Sequence, residues 1–343
     1  MTNLIYFTIF GNIDYINLVN LLALSTRLFG DPNDDIEYLV ITIDDFVEPL
    51  NEIFNKLLLN LKFYIIDNSN FLILLSSRLL IFNYEDINNY KKILYIDTDI
   101  LITNNINRLF CDSITNKLYA LEEGIISDQF HGREFFDFSK INPSTKGFTS
   151  GILLFNNCDE IKELFKIIFE HIEHNIQNNK PKPIAFDQAF INYHAINNNL
   201  YNNTYLKNLC INNPEDYKFN YHIISHFPGG VGNYEDKVKR MKHYFLYLYD
   251  FFPFMSNYDN YYLNRKFEWK HDCFNTNGYI KFLENNILET IWGYGKYNVI
   301  NNNTIKYQLC NDVHILKFNN DKTSFISIRR GDNNVSKGIY TFL

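Results

Sequence analysis

The sequence predicts an α/β protein in two parts: a mostly parallel, doubly wound sheet with flanking helices over residues 1–265, and a small antiparallel β module over 270–343. Three observations carry this. β-rich runs alternate with helix-period segments through the first two thirds of the chain. One of those runs, "KKILYIDTDILI" at residues 91–102, is a buried-looking strand that carries two aspartates spaced one apart. After about residue 270 the pattern changes to short alternating segments separated by Asn, Asp and Gly turns, which signals antiparallel pairing.

Taken in order, Leu4 to Phe10 reads as the first strand, and "YINLVNLLALSTRLFG" as a helix closed by glycine. "EYLVITI" and "KFYIID" are further strands, with the helix candidate "VEPLNEIFNKLLLNL" between them. "FLILLSSRLLIFNYEDI" reads as one more helix before the strand that bears Asp97 and Asp99. "LYALEEG" and "GFTSGILLFNN" are strand candidates separated by a long loop, a length that is often functional. "DEIKELFKIIFEHIEHNIQ" and "FDQAFINYHAINN" are helices. The boundary between the two parts is expected near residues 262–274, and the aromatic run "HYFLYLYDFFPFMSNY" is expected to form the seam.

The bulk numbers narrow the function. With 343 residues, 46% of them hydrophobic, the chain can bury a substantial core. A net charge of -7 with no long basic stretch argues against a duplex nucleic-acid partner. The N-terminus reads as a strand rather than a signal peptide, and no run approaches the roughly 20 apolar residues of a membrane span. Five scattered cysteines without a C-x-x-C pair suggest neither a disulfide framework nor a zinc ribbon, so a reducing, cytoplasm-like compartment is expected.

An ionised carboxylate is costly to bury without a partner, so two at the end of an apolar strand call for a cation. Strand alternation would place Asp97 and Asp99 on one side with Thr98 opposite, letting both reach one hard divalent ion that neutralises a diphosphate. Downstream, "ISHFPGGVGNYEDKVKRMKHY" offers His226 as a third ligand. Its Gly229, Gly230 and Gly232 would let backbone amides approach phosphate, and Lys237 would supply a point charge.

These stretches, with "YFTIFGNIDYINLVNLLALS", "SSRLLIF", "KILYIDTDILITNNINRLF", "GFTSGILLFNN", "FDQAFIN" and "SHFPGGVG", resemble the retaining nucleotide-sugar glycosyltransferases of family 8, the glycogenin and lipooligosaccharide galactosyltransferase group. The resemblance spans roughly residues 4–245 and implies a Rossmann-like GT-A fold. It implies Asp97, Asp99 and His226 as ligands of Mn2+, with Mg2+ as the alternative, bridging a UDP-sugar diphosphate. Ile9, Asn12 and Tyr15 fall where the family holds uracil and ribose, and Arg78 where a basic residue reaches the donor. Thr98 belongs with the same donor-binding set. Ser150 and Gly151 match the small pair beside the donor sugar, after Thr149, and Asp187 and Gln188 match the pair lining the reacting face.

Two departures stand out. The position where many members carry a lysine after H-x-x-G is Gly232 here, so phosphate contact passes to Lys237, another lysine or backbone amides. The K-P-W ending is absent. Apart from these, Ala189 stands where the family often has an acidic residue or glycine, and the lack of a carboxylate there is compatible with front-face attack within an ion pair, whereas double displacement would need a nucleophile. The implied reaction moves glucose, galactose or N-acetylglucosamine from a UDP-sugar to a glycan or glycoprotein acceptor; a catalytically inactive sugar-binding or structural protein is the alternative. A homodimer is left open. The composition and motifs also look like glycosyltransferases of giant DNA viruses of amoebae, which would place the protein in host cytoplasm or virion.

Other signals are read as structural. Glu170, His171, Glu173 and His174 are expected on a solvated helix face, "IRRGD" in a hairpin turn, and Trp292, Tyr294 and Tyr297 in the core of the β module.

Overall fold

A computed structural model describes residues 2–67, 71–112, 114–214, 222–229, 234–251, 262, 265–271, 276–301 and 303–340. The chain divides into two compact units, one of Met1–Asn55 with Leu59–Met241 and one of Lys56–Leu58 with Lys242–Leu343.

In the first unit, β1 (Thr2–Thr8), β2 (Ile36–Thr42), β3 (Leu61–Ile65) and β4 (Tyr90–Ile96) are all parallel. With β5 (Ile100–Ile102), β6 (Leu118–Ile125), β7 (Lys146–Asn156) and β8 (Tyr201–Asn202) following in sequence, the seven-stranded sheet has the order β3-β2-β1-β4-β7-β6-β8. β7 runs antiparallel to both β4 and β6. β1, β2 and β4 are near-continuous buried apolar runs, whereas the edge strand β3 is only half-buried; helices flank the sheet. Those helices are α1 (Ile16–Ser25), α2 (Val47–Lys56), α3 (Phe71–Leu75), α4 (Asp159–Gln177) and α5 (Asp187–Asn197). Tyr95, Leu153 and Phe155 from the central strands pack with Phe165, Ile168 and Phe190 from α4 and α5 in one core.

Three local expectations are corrected. The run at residues 91–102 is not one strand. It breaks at Asp97–Thr98–Asp99, and β5 leaves the large sheet for a second one of order β5-β10-β9, built with β9 (Cys210–Asn212) and β10 (Ile224–His226). Backbone hydrogen bonds mark the transfer: Asp97 N donates to Gly151 O (2.9 Å) in the first sheet, while Phe227 N donates to Asp99 O (2.9 Å) beside the second. The helix expected at residues 71–87 is a short α3 followed by 3-10 turns at Ser77–Asn83 and Ile87–Asn89. Ser76 Oγ donates to Ile73 O at 3.1 Å, a local side-chain bond that competes with helical continuation. His171 does not lie on a solvated face: it is half-buried against α5, with Nδ1 2.9 Å from His194 Nε2.

The second unit contains eight strands in a closed antiparallel barrel: β11 (Lys266–His271), β12 (Thr276–Phe282), β13 (Ile287–Thr290), β14 (Gly293–Asn301), β15 (Thr304–Leu309), β16 (Asp312–Phe318), β17 (Ser324–Arg329) and β18 (Val335–Tyr340). β18 pairs back onto β11, so no edge is left open. Alternate residues point inward and fill it: Phe267, Trp269, Ile280, Phe282, Tyr297 and Phe318 share one core. Of the three aromatics expected inside, Tyr297 alone is buried; Trp292 and Tyr294 are 45% and 72% exposed.

Candidate active site

The break between β4 and β5 sets Asp97 and Asp99 at the carboxyl end of the parallel strands, where ligands bind in open α/β sheets. His226 ends β10, which pairs antiparallel with β5 so that His226 lies opposite Ile100. Asp97, Asp99 and His226 thereby offer ligand atoms all within 4.8 Å of one another.

Each aspartate has one oxygen tethered and one turned toward the imidazole. Asp97 Oδ1 accepts from Tyr95 OH at 2.5 Å and faces Arg78 at 3.3 Å, leaving Oδ2 3.9 Å from His226 Nε2. Asp99 Oδ2 is held by Lys237 at 2.5 Å, leaving Oδ1 3.3 Å from the same nitrogen. Asp99 Oδ1 and His226 Nε2 are buried and neither has a hydrogen-bond partner among the described residues. Burial alone pushes the Asp99 carboxyl up, but His226 and Lys237 overcome it and hold it at about 2. Burial pulls the His226 imidazole down, yet the carboxylates of Asp99, Asp97 and Glu123 carry it above its ordinary value. Three donors of this kind, two carboxylate oxygens and one imidazole nitrogen, fit a divalent cation such as Mn2+.

Arg78 braces the floor. Its guanidinium stacks 4.5 Å from the Tyr95 ring centroid, donates to Ser150 O at 2.7 Å, and pairs with Asp187 Oδ2 at 2.8 Å through Nε. Burial raises the Asp187 carboxyl to about 6, with Arg78 opposing and Asp97 adding to the rise. Asp187 opens α5 directly after Phe186, whose φ of 32° is unusual for a non-glycine residue. Gln188 is fully engaged: Oε1 accepts from Ser150 N at 3.0 Å and Nε2 donates to Phe130 O at 3.2 Å. Gly151 is required where it stands, because a Cβ there would lie 2.5 Å from His226 Cε1 and 2.8 Å from Asp97 Oδ2. Thr149 Oγ1 accepts from Gly151 N at 3.2 Å.

The first-strand residues form a second group. Ile9 is buried with its carbonyl accepting from Thr42 Oγ1 at 2.8 Å, and Asn12 caps the turn at Ile13–Tyr15 through Asp14 N. Tyr15 meets Tyr234 edge to face at 5.2 Å, and Tyr234 OH donates to Asp14 O. Tyr234 and Lys237, three apart on one face of α6 (Tyr234–Phe251), therefore join this loop to Asp99. Thr98 lies in the turn between the two sheets, and Gly229 in the turn after β10; Gly230 and Gly232 lie outside the described residues.

Sequence reasoning passed over Tyr95, Glu123, His131 and Asn212. Tyr95 had a readable signal, since residues two apart in a strand share a face. Glu123 sits near the end of β6 in the predicted strand "LYALEEG", but Asn212 and His131 are separated from the site in sequence and gave none.

The family described as glycosyl transferase family 8 matches residues 37–231, more than half of the chain. Among solved structures, the apo bifunctional glycosyltransferase WbbM is similar at 14% identity and TM-score 0.52, over 73% of this chain and 51% of that one. This chain thus spans about half of that protein. Galactosyltransferase LgtC in complex with donor and acceptor sugar analogs is similar at 15% identity, TM-score 0.48, over 69% and 95% of the two chains. Mouse xyloside xylosyltransferase 1, apo form, follows at 13% identity, TM-score 0.45, over 68% and 99%. No curated protein matches the chain. The likeness to WbbM speaks to the fold, and the large unit has the GT-A arrangement.

Proposed function

The chain belongs to glycosyl transferase family 8, and from that premise we propose that it is a divalent-metal-dependent, retaining enzyme that moves a hexose from a UDP-sugar to a glycan or glycoprotein acceptor. The observation that carries the metal dependence is the pair of buried, unpartnered atoms, Asp99 Oδ1 and His226 Nε2, facing one another at 3.3 Å with Asp97 Oδ2 beside them. A neutral imidazole nitrogen and a carboxylate oxygen repel unless a proton or a cation lies between them.

Bound there, Mn2+ would act as a Lewis acid toward the diphosphate leaving group. The chain's own residues supply the rest. Lys237 tethers one oxygen of Asp99 and adds positive charge at the phosphate end. Arg78 orients Asp97 and Asp187, and Gln188 holds the Ser150 backbone, so the floor beneath the donor sugar is set before substrate arrives. With both ends of its amide engaged, Gln188 is a positioning group rather than a nucleophile, which favours front-face attack. Ile9, Asn12, Tyr15, Thr98, Gly229 and Gly230 complete the donor-binding set in this reading.

The test is UDP release from a panel of UDP-sugars with and without Mn2+, with Asp99→Ala as control. Metal-dependent release from one donor, lost in the variant, is expected and names the sugar. Metal-independent release, or equal release by Asp99→Ala, would overturn the reading.

A further inference from the structure

The hydrogen bonds behind His226 determine which of its nitrogens carries the proton. His226 and Asn212 are cross-strand neighbours on β10 and β9, and His226 Nδ1 lies 2.8 Å from Asn212 Oδ1. The amide of Asn212 in turn reaches β6, where Nδ2 donates to Glu123 Oε1 at 3.1 Å. The other oxygen of Glu123 lies 3.6 Å from Nε2 of His131.

The direction of this chain follows from its far end. An ionised carboxylate only accepts hydrogen bonds, so Glu123 must face the NH2 side of the Asn212 amide. That turns the amide oxygen toward His226, and an oxygen requires a donor, so Nδ1 carries the proton. In the neutral ring this leaves the lone pair on Nε2, facing Asp97 and Asp99, whose carboxylates favour a second proton there that a cation would replace. Rotating the amide by half a turn would invert every step and put the proton where a metal would bind.

A buried imidazole lies beside Glu123. His131 is buried to 3% exposure, and neither ring nitrogen has a hydrogen-bond partner among the described residues. It fits because its neighbours are glycines: a Cβ on Gly124 would stand 2.6 Å from His131 Cε1, and one on Gly147 2.6 Å from Cδ2. The imidazole is thus seated against the large sheet with one edge toward Glu123.

We propose that Asn212 and Glu123, backed by His131, are positioning residues that lock His226 in its Nδ1–H form and aim Nε2 at the two aspartates. Outer hydrogen bonds of this kind hold a ligating ring in place and commonly change metal affinity by about 10- to 100-fold when removed. The inference rests on the proposed metal dependence only for its consequence; the tautomer is a property of the metal-free protein.

Two readouts on the full chain test it. 15N NMR of neutral His226 in the metal-free protein should report Nδ1–H, and Asn212→Leu or Glu123→Leu should give a mixture or the Nε2–H form. The Mn2+ Kd, followed by electron paramagnetic resonance, should rise about 10- to 100-fold in both variants. The exchange Asn212→Asp with Glu123→Gln restores an acceptor toward His226 and a donor behind it, so it should recover both readouts; this variant decides the matter if Asn212→Leu fails to fold. A wild-type Nε2–H tautomer, or tautomer and Kd unchanged in both leucine variants, would overturn the proposal. Wild-type protein that takes up neither Mn2+ nor Mg2+ would instead overturn the metal reading, with the tautomer measurement still deciding the relay.

Discussion

Gly151 and His226 are packed so closely that a Cβ at residue 151 would stand 2.5 Å from the imidazole Cε1 and 2.8 Å from its Nε2. The ring cannot retreat freely, because Asn212 holds its other nitrogen. Gly151→Ala is therefore expected to displace His226 and Asp97 together. The Mn2+ Kd should rise at least about 10-fold, with about 1–3 kcal/mol lost in urea unfolding from overpacking. An unchanged Kd would contradict this placement.

Asp97→Ala and Asp99→Ala each remove one of the carboxylates turned toward His226. A Lewis acid at the leaving group contributes several kcal/mol, so donor turnover should fall at least roughly 100-fold in either variant. Circular dichroism should show the fold intact. Full activity in both variants would exclude a metal at this site.

Arg78 is the buried counter-ion of Asp187, at 2.8 Å. Arg78→Leu leaves that carboxylate unpaired and should cost about 3–5 kcal/mol at neutral pH. Arg78→Lys should also destabilise, since a single ammonium cannot reach Asp97, Ser150 and Asp187 at once. The Asp187 carboxyl is raised to about 6 in the folded protein and has an unfolded value near 3.9. The folded state thus binds a proton the unfolded chain has released, and its contribution to stability falls as pH rises through that window. In Arg78→Leu the folded value should move higher, so part of the loss should return on acidification below about pH 6; urea midpoints at pH 5 and 8 measure it.

The His171–His194 bond joins α4 to α5 and requires at least one neutral ring. Burial, with His171 nearby, lowers His194 from 6.5 to about 4. The unfolded chain binds a proton that the folded form refuses. The contribution of this pair to stability should therefore decline as pH falls from about 6.5 to about 4, and be fully lost below that. His194→Gln keeps a donor and an acceptor without titrating, so its unfolding midpoint should show a smaller acidic decline, with the part due to the half-buried His171 remaining.

In the barrel, a Cβ on Gly338 would lie 2.1 Å from Cζ of Phe325, an inward-facing core ring. Gly338→Ala should lower the thermal transition of the C-terminal unit by overpacking, about 1–3 kcal/mol. Phe325→Leu in the same chain should recover part of it.

The fold class and the pair of aspartates at a strand end were legible in the sequence for one reason: both depend on short-range periodicity. Alternating apolar runs and helix-spaced segments announced the parallel sheet, and the change to short segments announced antiparallel pairing, though not its closure into a barrel. The D-x-D spacing announced two carboxylates at a strand end. The same local rules misled where the chain changes sheets. Apolar residues on both sides of Asp97–Asp99 look like one strand, but Ile100, Leu101 and Ile102 are buried in a second sheet, where β5 pairs with β10 rather than continuing β4.

Tertiary structure alone decided what each functional group touches. Arg78 meets Ser150 across 72 residues, Lys237 meets Asp99 across 138, and Glu123 meets Asn212 across 89. A sequence specifies residue types and local conformation, because backbone sterics and side-chain period act over a few positions. Hydrogen-bond direction between distant side chains is set only when strand register brings a particular donor opposite a particular acceptor, as the β9–β10 pairing does for Asn212 and His226.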